Sequence, residues 1–344
     1  MVRPLDIADF LERETPIIDV RSPGEYAHGH IPGAHSLPLF SNEERVVVGT
    51  LYKQQGRDAA VLEGLRIVGP KLAAIVEEAR SLAPDGRIRV HCWRGGERSG
   101  SVAWLLGKAG FAEVLTLRKG YKAFRNHVLD SFAAPLPLII LGGYTGSGKT
   151  EILHALRALG EQVVDMEGLA NHRGSSFGAL GLPPQPTTEH FENLLWGELR
   201  TLDRSRMIWL EDESMMIGRV KVPDGVFSQL RAAKVFFVEM PQDMRAQRLV
   251  VDYGKAETKE LREAILRIQK RMGPQHCKAA LQALDAGDLF TVAKTALTYY
   301  DKAYLHGAQE RDPMSVKKME VATPDSGWVA EALLARIKAG ALKA

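Results

Sequence analysis

PLIILGGYTGSGKTEILHALRALG, residues 137–160, decides the fold of the larger part of this chain. An apolar run, a glycine-rich turn and then apolar residues at helical spacing read as strand, loop and helix. Within it GYTGSGKT (143–150) satisfies G-x4-G-K-[ST], and the flanking strand and helix supply the context that turns this motif into a phosphate site. Gly143, Gly146 and Gly148 let backbone N–H groups approach phosphate oxygens. Lys149 reaches the terminal phosphates, and the Thr150 hydroxyl can hold Mg2+. A diphosphate is therefore the expected ligand.

Downstream, EQVVD (161–165), RMIWLED (206–212) and AKVFFVEM (233–240) read as further strands of the same α/β unit, and from Asp243 onward the pattern is mainly helical. RMIWLED delivers Glu211 and Asp212 to the carboxyl edge of a sheet, where a carboxylate can orient magnesium or act as a base. Asp165 ends another strand candidate and has the same reading. For each, the alternative is a solvated acidic turn, and the choice among the three stays open. EGLANHRGSSFG (167–178) is a polar, glycine-rich loop expected to border the phosphate site. Its His172 and Arg173 suit a diphosphate or an RNA phosphate, set against the plainer role of a satisfied surface histidine. The basic residues from Arg245 to Lys278 alternate with acids, as on a solvated helix face. RIQKRMG (267–273) is more one-sided and could meet a tRNA backbone.

Upstream of the P-loop, DSFAAPLP (130–137) breaks the pattern with small residues and two prolines, which divides the chain into 1–132 and 133–344. The first part is α/β as well. Strands are expected at PIIDV (16–20), RIRVHC (87–92) and EVLTL (113–117), and helices at 71–83 and 99–110, covering a parallel sheet. RVHCWRGGERSGSVAWLL (89–106) places Cys92 at a strand end, before a glycine loop and a helix starting near Ser99. Loop N–H groups, the helix N-terminus, Arg94 and Arg98 all favour thiolate over thiol. Gly95 and Gly96 leave room for a tetrahedral anion. The spacing C-x5-R is one residue longer than the C-x4-R of simple sulfurtransferases of the rhodanese type, and it matches cysteine phosphatases. The loop should thus accept a phosphoester or a phosphate-like donor such as selenophosphate. In DVRSPGEYAHGHIPGAHSLPL (19–39), Arg21, Glu25 and His30 read as polar ties between loop and sheet rather than catalysts. Glu97 opposes anion binding unless its side chain points outward.

The bulk numbers bound these readings. A chain of 344 residues is comfortable as two domains, and 45% hydrophobic with 25% charged residues is ordinary for a globular protein. A net charge of +3 from 45 basic and 42 acidic residues excludes a polycation, so any RNA contact must use local patches. The only cysteines, Cys92 and Cys277, have neither disulfide nor metal-site spacing, which indicates a reducing compartment, with Cys277 structural. Acids near the start and the lack of a roughly 20-residue apolar run predict a cytoplasmic protein with no membrane partner.

Five segments together carry a resemblance: VGTLYKQQGRDAA (48–60), CWRGGERSGSVAWLL (92–106), GGYTGSGKTEIL (142–153), DMEGLANHRGSSFG (165–178) and EDESMMIG (211–218). They closely resemble the bacterial tRNA 2-selenouridine synthases, and the resemblance covers nearly the whole chain. It implies a rhodanese-like domain followed by a P-loop NTPase-like parallel-sheet domain with a helical C-terminal part. It further implies replacement of sulfur by selenium in the wobble 2-thiouridine of tRNAs for lysine, glutamate and glutamine. Geranyl diphosphate would first alkylate the sulfur, and selenophosphate would then supply selenium. Gly143, Gly146, Gly148, Lys149 and Thr150 would bind the diphosphate, and Cys92 would receive or deliver selenium. The enzyme that makes selenophosphate is an implied partner. No tightly bound cofactor is expected, and the metal is left open beyond Mg2+. Three other readings compete: a cysteine phosphatase of rhodanese topology, an ATP-dependent kinase or sulfurtransferase fusion, and a non-catalytic RNA-binding module.

Overall fold

The computed structural model describes residues 2–308 and 311–340. They form two compact units, one made of Met1–Ser131 together with Glu192–Leu194, the other of the remainder.

The first unit is a five-stranded sheet of β1 (Val2–Leu5), β2 (Ile17–Asp19), β3 (Ala34–Ser36), β4 (Arg87–His91) and β5 (Glu113–Leu117) in the order β1-β5-β4-β2-β3. Every pairing is parallel. A parallel sheet is covered on both faces, so its central strands need near-continuous apolar runs. β4 meets that demand, being buried from Ile88 to His91. The helices Leu72–Leu82 and Glu97–Lys108 put Ile75, Ala79, Val102, Ala103 and Leu106 into one cluster with Ile18, Val20, Ile88 and Val90. The second of these begins at Glu97 rather than near Ser99, so Arg98 and Ser99 lie in its first turn.

The second unit holds β6 (Leu138–Gly143), β7 (Gln162–Val163), β8 (Ile208–Glu211), the hairpin β9 (Met216–Ile217) and β10 (Val220–Lys221), then β11 (Lys234–Glu239) and β12 (Val316–Glu320). Its main sheet runs β12-β11-β6-β8-β7, all parallel, with the P-loop strand β6 at the centre. The pairing of Leu141 with Glu211 sets the end of β8 beside the mouth of the P-loop. Helices Lys149–Ala158 and Ser326–Lys338 contribute Ile152, Leu153, Leu156, Val329 and Leu333 to the core against Ile139, Leu141, Phe236 and Val238. A separate apolar cluster joins the helices Thr258–Arg267, Pro274–Asp285 and Leu289–Ala308, and Cys277 is buried within it.

Two departures from the sequence reading have physical causes. β7 stops at Val163 because Asp165 leaves the sheet to cap the helix Met166–Ala170, its side chain accepting from Gly168 N. β12 interrupts the expected helical region. Of its five residues, VKKME, only Met319 is buried, so an edge strand with outward lysines carried no apolar signature. Among the described residues no helix is long and apolar enough to cross a membrane.

Candidate active sites

In the first unit, Cys92 follows directly on β4 and is 3% exposed, while Arg94, Gly95 and Gly96 beyond it are exposed. Its Sγ lies 3.2 Å from Ser99 Oγ, a hydroxyl supplied by the first turn of the helix Glu97–Lys108. The same hydroxyl donates to Gly96 O at 3.3 Å, which ties the helix start to the loop. The sulfur thus lies at the floor of a loop whose rim faces solvent.

The loop is shaped by a turn that follows β5. Tyr121 N donates to Cys92 O at 2.8 Å and Lys122 N to Trp93 O at 3.0 Å, so the start of the helix Gly120–Ser131 fixes the loop's carbonyls. The approach is too close for side chains. A Cβ on Gly95 would lie 2.3 Å from Leu117 O, and one on Gly120 would lie 2.2 Å from Cys92 O and 2.4 Å from Gly95 N. Both glycines are also left-handed, at φ +64 and +57.

Arg98 does not reach into the loop unencumbered. Its Nη1 and Nη2 donate to Glu25 at 2.7 and 3.2 Å. Burial pushes the Glu25 carboxyl up, but the Arg98 hydrogen bond and charge outweigh it and hold the group at about 2. Glu25 in turn closes a capping box with Ser22 at the head of the helix Pro23–His28. Arg21, fully buried, is bonded to Asp19 and to Gly29 O, and its guanidinium lies 3.7 Å from the Tyr121 ring centroid. His30 Nδ1 is 3.0 Å from Tyr26 O. These residues tie loop to sheet. Glu97 is two-thirds exposed and paired with Arg57 at 2.6 Å, so its charge is turned outward.

In the second unit a cavity of about 790 Å³ opens over the P-loop and is lined by Gly143, Gly146, Gly148, Lys149 and Thr150. Lys149 Nζ donates to Gly143 O at 3.1 Å, closing the loop on itself. Arg245, 3% exposed, donates to Thr145 O and makes a two-pronged ion pair with Asp301 at 2.8 Å for each prong. Arg248 lies against Gly148 and pairs with Glu151 at 2.8 Å. Both arginines read in the sequence as part of a solvated helix face. The fold instead turns that end of the helix Gln242–Tyr253 onto the phosphate loop.

The acids near the P-loop have different partners. Thr150 Oγ1 donates to Glu167 Oε2 at 3.0 Å, and Glu167 N donates to Glu211 Oε1 at 3.0 Å. Glu213 lines the same cavity. Burial pushes the carboxyls of Glu167, Glu211 and Glu213 up; the charge of Glu167 raises the other two further, while Lys149 draws Glu167 and Glu213 down. Asp165 also lines the cavity, while capping a helix and holding His154 Nε2 at 2.9 Å. Asp212 lines it as well and is ion-paired with Arg311 at 2.5 Å, both side chains under a tenth exposed. Glu167 and Glu213 were not singled out in the sequence, where the only signal for them was proximity to DMEGLA and EDES.

His172 and Arg173 part company. Arg173 lines the cavity and its guanidinium sits 5.4 Å from the Tyr253 ring centroid. His172 is 8% exposed, pressed against Gly178 and Gly218, and burial, with Arg267 and Arg219 nearby, lowers its pKa. It does not line the cavity. Arg267 of the basic cluster donates to Ser176 O at 2.9 Å, while Lys270 and Arg271 are exposed. Among the described residues no three His, Cys, Asp or Glu side chains are grouped to hold a metal ion by themselves.

Two family models match. Residues 4–127 match the rhodanese-like domain, and residues 136–323 match the tRNA 2-selenouridine synthase AAA domain. Among curated proteins, the tRNA 2-selenouridine synthase of Sulfurovum sp. (strain NBC37-1) is 37% identical over 309 residues, covering 81% of this chain and 82% of that protein. That of Bdellovibrio bacteriovorus is 33% identical over 368 residues, covering 92% and 94%, and that of Nitrosomonas europaea is 33% identical over 359 residues, covering 89% and 92%. With a rhodanese-like unit carrying a strand-end cysteine and a P-loop unit of matching extent, the chain belongs to the tRNA 2-selenouridine synthase family.

Proposed function

We propose that this protein converts the wobble 2-thiouridine of tRNA to 2-selenouridine in two steps, one in each unit. The observation that carries the proposal is the pairing, in one chain of this family, of a cysteine loop at a strand end with a P-loop cavity.

In the first step the P-loop holds geranyl diphosphate. Lys149 and the loop amides neutralise the diphosphate, the base's sulfur attacks C1 of the geranyl group, the C–O bond breaks and diphosphate leaves. Charge builds on that leaving group, so preorganised cations and amides accelerate the step. The oxygen donors of Thr150, Glu167 and Glu213 fit a hard cation such as Mg2+, which takes one or two carboxylates and completes its shell with phosphate oxygens and water. Bound there, Mg2+ would supply further neutralisation of the diphosphate.

In the second step Cys92 works on selenophosphate. The loop of Arg94, Gly95 and Gly96, with Arg98 at its end, receives the tetrahedral anion. The thiolate attacks phosphorus, an S–P bond forms, the P–Se bond breaks and hydrogen selenide leaves. Water then frees phosphate from the cysteine. Hydrogen selenide adds to C2 of the alkylated base and geranyl thiol departs, so no oxidant is consumed. Alkylation makes the sulfur a better leaving group.

The test is mass spectrometry of 2-thiouridine-containing tRNA incubated with both donors. Cys92→Ser is expected to accumulate S-geranyl tRNA with no selenium incorporated, and Lys149→Ala to lose geranylation by at least tenfold. Full selenation by the Cys92 variant, or unchanged geranylation by the Lys149 variant, defeats the assignment. Release of phosphate from an aryl phosphate at a rate matching selenation would favour a phosphatase instead.

A further inference from the structure

A second, smaller cavity adjoins the P-loop within the same unit. It is lined by Phe177, Leu249, Val250, Leu261, Val292 and Ala296, among other residues. Thr145 of the phosphate loop lines it together with Ser175, Leu249, Tyr253 and Tyr300, and all five of these also line the large cavity. The two spaces therefore share a wall, one side of it carrying the phosphate-binding loop and the other the apolar helices Gln242–Tyr253, Thr258–Arg267 and Leu289–Ala308.

The wall chemistry selects the occupant. A nucleoside buried there would need polar partners for its base and ribose. The polar side chains available are hydroxyls on the shared wall, and that of Tyr300 already accepts from Ser176 N at 2.9 Å. Hydrocarbon has no such need. At about 40 Å³ the space exceeds the roughly 10–15 Å³ that a single water takes by this measure. It therefore suits the branched part of one isoprene unit rather than a whole ten-carbon chain.

We infer that this apolar cavity receives one isoprene unit of the hydrocarbon chain of an allylic diphosphate whose diphosphate sits on the P-loop. The inference rests on the geranyl diphosphate reading above and names the residues that recognise the chain. Specificity for an alkyl diphosphate over a nucleotide then comes from Phe177, Leu261, Val292 and Ala296, not from the P-loop motif, which serves either.

The experiment is calorimetric titration of the full chain with geranyl diphosphate and, separately, with inorganic diphosphate. Wild type is expected to bind the geranyl compound at least tenfold tighter. Ala296→Phe, which fills the cavity from the helix Leu289–Ala308, should close that gap while leaving the inorganic diphosphate Kd within twofold, which also shows that the unit is folded. Leu261→Ala, which widens the cavity, should shift preference from geranyl toward farnesyl diphosphate by several-fold. Equal affinity of wild type for the two ligands, or a gap that persists in Ala296→Phe, overturns the inference. If the gap behaves as expected yet no S-geranyl tRNA forms, the cavity assignment stands and the reaction proposed above falls.

Discussion

Replacing Gly120 by alanine perturbs the cysteine loop from outside the motif that contains it. Gly120 has φ +57, and an alanine there costs roughly 1–2 kcal/mol for the left-handed backbone alone. Lys119, next to it, already sits at φ +59, so this strain is bearable. The larger effect is steric. The new Cβ would stand 2.2 Å from Cys92 O and 2.4 Å from Gly95 N, about an ångström inside ordinary contact, against backbone that cannot swing aside. Relieving it displaces the loop by about the same distance, for a total cost on the order of 3 kcal/mol. A misplacement of about 1 Å at a reacting group costs on the order of 100-fold in rate. Selenation measured by mass spectrometry is therefore expected to fall about 100-fold, with geranylation, which the proposal assigns to the other unit, retained. Gly110→Ala is the control. That residue is also left-handed, at φ +90, but its Cβ meets nothing within 4 Å, so it should cost about 1 kcal/mol and no activity. A Gly120→Ala protein with wild-type selenation, or one no less stable than Gly110→Ala, would refute the reasoning.

Further expectations concern charge. His91 is fully buried on β4, and burial holds its pKa at about 4, against 6.5 in the unfolded chain. Below pH 6.5 the unfolded state binds a proton that the native state refuses, so stability falls with pH, by about 2 kcal/mol between pH 7 and 4.5. Urea unfolding of the chain followed by tryptophan fluorescence should show this slope, and a flat profile would mean the imidazole is not held neutral. Glu167→Gln keeps a hydrogen-bond acceptor for Thr150 while removing repulsion toward Glu211 and Glu213. At pH 8 it should therefore stabilise the P-loop unit by about 1 kcal/mol while slowing the proposed geranylation, assayed with Mg2+ present, at least tenfold. Loss of stability together with unchanged geranylation would show that the carboxylate serves packing alone.

Local order was legible in the sequence wherever it depends on neighbours along the chain. The apolar runs at 87–92, 113–117, 137–143 and 233–240 became strands, because a parallel sheet covered on both faces demands such runs and little else does. The P-loop and the cysteine loop were equally readable, since each packs its strand, glycines and helix start into fewer than twenty consecutive residues. The short strand β3 and the charged edge strand β12 were not, because pairing with a neighbour, rather than their own composition, makes them strands.

What surrounds the two loops was decided by tertiary structure alone. Glu167, Glu213 and Arg248 lie 17, 63 and 98 residues beyond Thr150 along the chain, and only the order of strands in the sheet brings them to one cavity. Burial then sorted side chains of one type into different roles. Asp212 went to an ion pair, Asp165 to a helix cap and Glu167 to the P-loop hydroxyl. The same holds for Gly120, whose lack of a side chain matters solely because the backbone of Cys92 and Gly95 passes beside it. Motif spacing encodes which groups can react. Which groups flank them is set by long-range packing, and no local pattern records it.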